Sequence, residues 1–122
     1  GITEFFIGHA DGPGGLVYLF PHDGTVVLGG TEERGNASRE PDPATAQRIL
    51  RNCTTIEPRL RDAEIIAHKV GLRPARPFVR LEAEELGGRL LVHNYGHGGA
   101  GVSLSWGCAA DAARLVLASS GQ

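Results

Sequence analysis

The 122 residues are one domain's worth of chain, and 41% hydrophobic against 21% charged residues is the balance of an ordinary water-facing globular protein. A net charge of −2, with lysine and arginine scattered, leaves no basic footprint for nucleic acid or an anionic membrane surface. No apolar run approaches the roughly 18 residues of a membrane-spanning helix, and no signal-peptide pattern is read at the start.

Ile2 to Ile7 is apolar and β-prone and reads as a strand, followed by a glycine-rich loop from His9 to Gly15. Leu16–Phe20 and Thr25–Leu28 flank Pro21-His22-Asp23-Gly24, which predicts a hairpin with a Pro-led turn. Residues 29–41 are polar and glycine-punctuated, a surface stretch. Asp42-Pro43 opens a helix with aspartate as N-cap and proline in the first turn, and Ala46, Ile49, Leu50 and Cys53 form its buried stripe. Pro58 ends that helix or a short successor.

Ala63–Gly71, Pro77–Ala83 and Arg89–Tyr95 read as three further strands, the last two joined at Gly87-Gly88, and Ser103–Ala118 as a closing helix. The order predicts an α+β fold, a mainly antiparallel sheet with two helices. Cys53 and Cys108 fall on separate predicted helices and are expected as buried free thiols of a reducing, cytoplasmic compartment.

The 18 glycines are about twice the usual share, and they concentrate in one informative place. Leu90-Leu91-Val92 leads into His93-Asn94-Tyr95-Gly96-His97-Gly98-Gly99-Ala100-Gly101, and a small-residue helical pattern leaves it. A strand, a tight loop and a helix N-terminus offer unpaired N–H groups and partial positive charge to an electron-rich ligand. Gly96, Gly98 and Gly101 also fit G-x-G-x-x-G. A dinucleotide fingerprint needs a second strand with an acidic residue about 20 positions on, which the sequence does not supply before Gln122. The expectation is a ligand-facing glycine loop and not a pyrophosphate fingerprint.

Arg73 and Arg76 lie on a segment stiffened by Pro74 and Pro77. Their odd spacing points them to opposite faces of an extended chain, so they do not both face one site. Carboxylate capture suits such an arginine, and so does an ion pair to a nearby glutamate. Tyr18, mid-strand between Val17 and Leu19, reads by itself as a half-buried packing residue before a ligand contact. His93 and His97 lack a third ligand of convincing spacing, so no metal site is expected. Glu82, Glu84 and Glu85 read as a solvated strand end.

Taken together, these blocks resemble the C-terminal portion of the FAD-dependent D-amino acid oxidases. The likeness covers Tyr18–Pro21, Leu28-Gly29-Gly30-Thr31, the Asp42-Pro43 helix with Cys53 and Glu57-Pro58, Val70–Glu82 and His93–Ala109. It implies a substrate-binding portion over residues 1–92 and a flavin-contacting loop and helix of the FAD domain over 93–122. It also implies the cofactor FAD, bound through Gly98, Gly99, Ala100, Gly101, Val102 and Ser103. Arg73 matches the arginine that pairs with the substrate α-carboxylate. Tyr18 matches the tyrosine that hydrogen-bonds it, and Gly99 the residue whose carbonyl takes the α-amino group. No residue is implied as a general base.

The implied reaction is oxidation of a D-amino acid to its imino acid, which water converts to a 2-oxo acid and ammonia while dioxygen becomes hydrogen peroxide. The family's N-terminal dinucleotide-binding half has no counterpart here, so the chain is expected to be inactive alone and to need that half or a partner chain; a homodimer stays open. The other reading is a non-catalytic fragment or assembly module that binds substrate or a partner without turnover. The lid loop of animal members has no counterpart in Gly8–Gly15. The related D-aspartate oxidases often carry a cation just after Gly-Gly-Thr, where this chain has Glu32, so neutral D-amino acids are expected.

Overall fold

The computed structural model describes residues 1–10 and 15–119, and the chain divides at Gly71 into two units, Gly1–Gly71 and Leu72–Gln122. In the first, strands β1 (Phe6–His9), β2 (Leu16–His22) and β3 (Thr25–Gly29) form an antiparallel sheet in that order. Asp23 and Gly24 make a two-residue turn, and Gly24 adopts φ +77°, a left-handed conformation that favours glycine. The expected Pro-led turn is therefore corrected. Pro21 stays in β2 opposite Val26, beyond the last β1 pair at Phe6–Leu19, so its missing N–H forfeits no bond to β1.

Alternation along β2 sends Val17 and Leu19 to one face, where they are buried with Cys53 and Leu60. Cys53 arrives on helix α1 (Pro43–Ile56), whose N-cap Asp42 accepts a 2.7 Å bond from the Thr45 amide. Ile49 packs on this cluster; Ala46 and Leu50 are half-buried, so the expected stripe narrows to Cys53 at full burial. A 3-10 turn, Pro58–Asp62, follows and buries Leu60.

Two expected strands differ. The first spans Phe6–His9 and not Ile2–Ile7, because β2 pairs only with those four residues; Ile2 packs on the core instead. Residues 63–71 form no strand. Their β-branched content is there, but no described neighbour gives them a ladder, and Ile65 and Ile66 are exposed. Within the His9–Gly15 loop, residues 11–14 lie outside the described residues.

The second unit is a hairpin of β4 (Ala75–Leu86) and β5 (Arg89–His97), with helix α2 (Gly101–Ser119) packed on both strands. Gly87 and Gly88 both take positive φ, as a tight hairpin turn of the mirror-image type demands. Pairing runs regularly from Leu86–Arg89 to Arg80–Tyr95. A bulge then sets residues 76–79 against Gly96 before Ala75 pairs with His97. Pro77 falls in the bulge, where it needs no ladder partner. The expected α+β class, mainly antiparallel with two helices, holds. Among the described residues no helix is long and apolar enough to cross a membrane.

Candidate functional site

The bulge brings the end of β5 back beside the residues preceding β4. The Gly98 amide donates a 3.1 Å hydrogen bond to the Pro74 carbonyl, pinning the glycine loop next to Arg73. Gly98 adopts φ +58°, so the chain can turn there from β5 into a short 3-10 segment, Gly98–Ala100, and on into α2. Arg73 then lies against Gly99: a β-carbon on Gly99 would stand 3.2 Å from Arg73 Nε and 3.3 Å from Cδ.

Arg76 goes elsewhere. Its side chain covers Gly96, where a β-carbon would stand 2.7 Å from Arg76 Cδ, and its guanidinium carbon lies 5.2 Å from the Tyr95 ring centre. The two arginines have different neighbours, Arg73 ahead of β4 and Arg76 within the bulge.

Gly98, Gly99, Ala100, Gly101, Val102 and Ser103 stand together at the entrance to α2. His97 makes no side-chain capping bond, and Ser105 Oγ donates back to the Val102 carbonyl at 2.7 Å, away from the first-turn amides. Those amides point out of the helix end with its partial positive charge. His97 Nε2 is buried and has no partner among the described residues. Val102 is 90% exposed, and Trp106 one turn on is 89% exposed.

Tyr18 belongs to the other unit. It is half-buried on β2, stacked at 5.1 Å on Phe20, with its ring laid over the backbone of Gly29 and Gly30. From the opposite face Cys53 Sγ reaches the Gly29 carbonyl at 3.5 Å and the Tyr18 carbonyl at 3.8 Å, and burial pushes its thiol pKa up. Sequence reasoning missed Gly29 and Gly30 as parts of this setting. The signal was present: a turn at Asp23-Gly24 pairs His22 with Thr25, and counting outward sets Tyr18 opposite Gly29.

Glu82, Glu84 and Glu85 are exposed, as expected of a solvated strand end, and the first two are also paired. Arg80 bonds Glu82 at 2.6 Å, Glu84 at 2.9 Å and the Tyr95 hydroxyl at 3.1 Å. His93 Nε2 lies 3.1 Å from Glu84, and this close approach, followed by the Arg80 charge, holds the Glu84 carboxyl below its ordinary range. Cys53 and Cys108 are both free thiols, but Cys108 is half-buried where full burial was expected. It sits on α2, which has no fully buried residue.

A sequence model of the family described as FAD dependent oxidoreductase matches residues 2–115, nearly the whole chain. The chain belongs to the FAD-dependent oxidoreductase family. Among curated members of this family, it is 60% identical over 114 residues to a D-amino-acid oxidase of Rubrobacter xylanophilus, covering 93% of this chain and 35% of the relative. A D-amino-acid oxidase of Streptomyces coelicolor is 50% identical over 117 residues, covering 95% of this chain and 37% of the relative. The human D-aspartate oxidase is 49% identical over 118 residues, covering 93% of this chain and 34% of the relative. The chain thus spans about a third of the length of the curated relatives it matches. The glycine loop and the Arg73 segment both fall inside the matched range.

Proposed function

We propose that this chain forms the substrate-carboxylate and flavin-edge side of an oxidase that deaminates D-amino acids. The observation that carries this reading is Arg73 standing against Gly99, in a loop pinned to Pro74 and opening into α2. Arg73 offers a planar, permanently charged fork to a carboxylate; the resemblance, and no geometry between the two units, adds Tyr18 as a further donor to it. The Gly99 carbonyl accepts from the α-amino group. Holding both ends of the amino acid fixes which face of Cα is presented, an effect of orientation.

The loop suits FAD by its own chemistry. The 3-10 segment that opens into α2 has no side-chain cap, the Gly98 amide is already held by Pro74, and His97 Nε2 beside them is a buried polar atom without a partner among the described residues. When bound, FAD supplies the two-electron acceptor for converting amine to imine, with dioxygen as the final oxidant. The residues of the chain orient the substrate and stabilise charge at the helix N-terminus. On this reading residues 1–92 are the substrate side and 93–122 the flavin side. The pyrophosphate and adenine of FAD, which these few amides cannot span, are held by protein outside the loop.

The human D-aspartate oxidase among the relatives favours a second reading in which the substrate carries a side-chain carboxylate. Glu32, following Gly30-Thr31, opposes it through like charge. The test of the main reading is steady-state oxidation of D-alanine by the holoenzyme with Arg73→Ala. Removing one partner of a charge-assisted pair is expected to cost on the order of 2–5 kcal/mol in kcat/KM. An unchanged KM would contradict the assignment.

A further inference from the structure

We propose that Gly29 and Gly30 are positioning residues for Tyr18, a cleared berth in β3 that sets where its hydroxyl points; this rests on the reading of Tyr18 as a carboxylate contact. Tyr18 and Gly29 are direct cross-strand partners, and partner side chains share one face of a sheet with β-carbons about 5 Å apart. Here the partner has no side chain, and the ring lies across the vacant position. A β-carbon on Gly29 would fall inside the Tyr18 ring. One on Gly30 would run into the ring edge and stand 3.1 Å from Leu16 Cδ2.

Both glycines are buried, and neither is among the residues with positive φ. No left-handed conformation therefore demands glycine at either position, and the tyrosine ring stands where a β-carbon would go at both. The surroundings hold the ring to this berth. Phe20 stacks beside it at 5.1 Å with 29° between planes, and the Gly30 amide bonds the Leu16 carbonyl at 2.9 Å, carrying the ladder one residue past β3. Behind the sheet, Cys53 Sγ approaches the carbonyls of both Tyr18 and Gly29. A ring confined on these sides has its direction chosen before a ligand arrives, which lowers the ordering cost of binding. A ring that merely covers an edge-strand glycine would protect the sheet but leave substrate affinity untouched.

The test compares four holoenzymes: the parent, Gly30→Ala, Tyr18→Ala and the double variant, with D-alanine as substrate. Gly30→Ala is expected to raise KM about tenfold with kcat changed less than about twofold, the pattern of lost binding and not lost chemistry. In the Tyr18→Ala background the ring is gone and Gly30→Ala is expected to leave KM where Tyr18→Ala alone puts it. If Gly30→Ala fails to fold, folding of the double variant supports the berth, and failure of both overturns it. Equal KM effects of Gly30→Ala in both backgrounds also overturn it, as does a parental KM in Gly30→Ala.

A second readout needs no turnover: the ring signal of Tyr18 in carbon-13 tyrosine NMR, assigned through Tyr18→Phe. It is expected to move in Gly30→Ala, and an unmoved signal overturns the geometry by itself. A parental KM in Tyr18→Ala overturns the proposal through the functional reading on which it rests, and the NMR result separates the two failures.

Discussion

Arg73 and Gly99 are in contact although 26 positions separate them, and the absence of a side chain on Gly99 is what permits it: a β-carbon there would crowd Nε at 3.2 Å. Gly99→Ala therefore displaces the guanidinium by a few tenths of an ångström. The expected outcome is a KM for D-alanine raised by about threefold to tenfold with a smaller change in kcat, since bidentate pairing depends on geometry. Steady-state kinetics of the holoenzyme check it.

Arg76 supplies the internal control. It covers Gly96 and stacks on Tyr95, so Arg76→Ala loses packing and a cation–π contact and not a substrate partner. Arg73→Ala is expected to raise KM for D-alanine by about a hundredfold, and Arg76→Ala by less than about threefold. Equal losses would show that both arginines serve the same site.

Glu57 ties the end of α1 to the 3-10 turn by accepting from the Arg59 amide at 3.0 Å and from its guanidinium at 2.8 and 2.6 Å. Arg59 holds the Glu57 carboxyl down at about 2, against an ordinary value of 4.5. A depressed folded-state pKa contributes stability that is present above the ordinary value and is lost as pH falls from 4.5 towards 2. Glu57→Gln is thus expected to lower Tm at neutral pH. The pair is solvent-screened, so the effect is small, at most a few degrees. Thermal melts of parent and variant should converge as the pH approaches 2. A gap that persists at low pH would contradict the role of the charge.

Glu32 bears on substrate class. Its side chain is 72% exposed and lies 3.9 Å from Arg34, so it acts on a bound ligand through water. The holoenzyme is expected to prefer D-alanine over D-aspartate by at least about tenfold in kcat/KM, and Glu32→Arg to narrow that gap by about threefold, the modest effect of a screened charge. Competition between the two substrates measures both.

The parts legible in the sequence were those with local causes. Asp42-Pro43 specified the start of α1 through capping chemistry, and the β2–β3 and β4–β5 hairpins followed from alternation on either side of residues 21–24 and Gly87-Gly88, although the first turn narrows to Asp23-Gly24. Residues 63–71 were misread because β-propensity describes a residue and a strand requires a neighbour. The extension of β4 to Ala75 was hidden by a bulge that periodicity cannot register, and that bulge is what delivers Gly98 to Pro74. Arg73 and Gly99 were each singled out, yet their contact depends on this tertiary return. The Tyr18 berth lay one step further, in a register implied by the turn.

On the proposed reading, this chain orients D-amino acids for oxidation by FAD, with Arg73 holding the carboxylate. The most direct measurement is the visible flavin absorption of the purified holoenzyme on anaerobic addition of D-alanine. The expected outcome is a yellow protein bleached by D-alanine and not by L-alanine, with Arg73→Ala needing about a hundredfold more D-alanine for the same bleaching. A colourless protein, bleaching by L-alanine, or an Arg73→Ala variant that responds like its parent would contradict it.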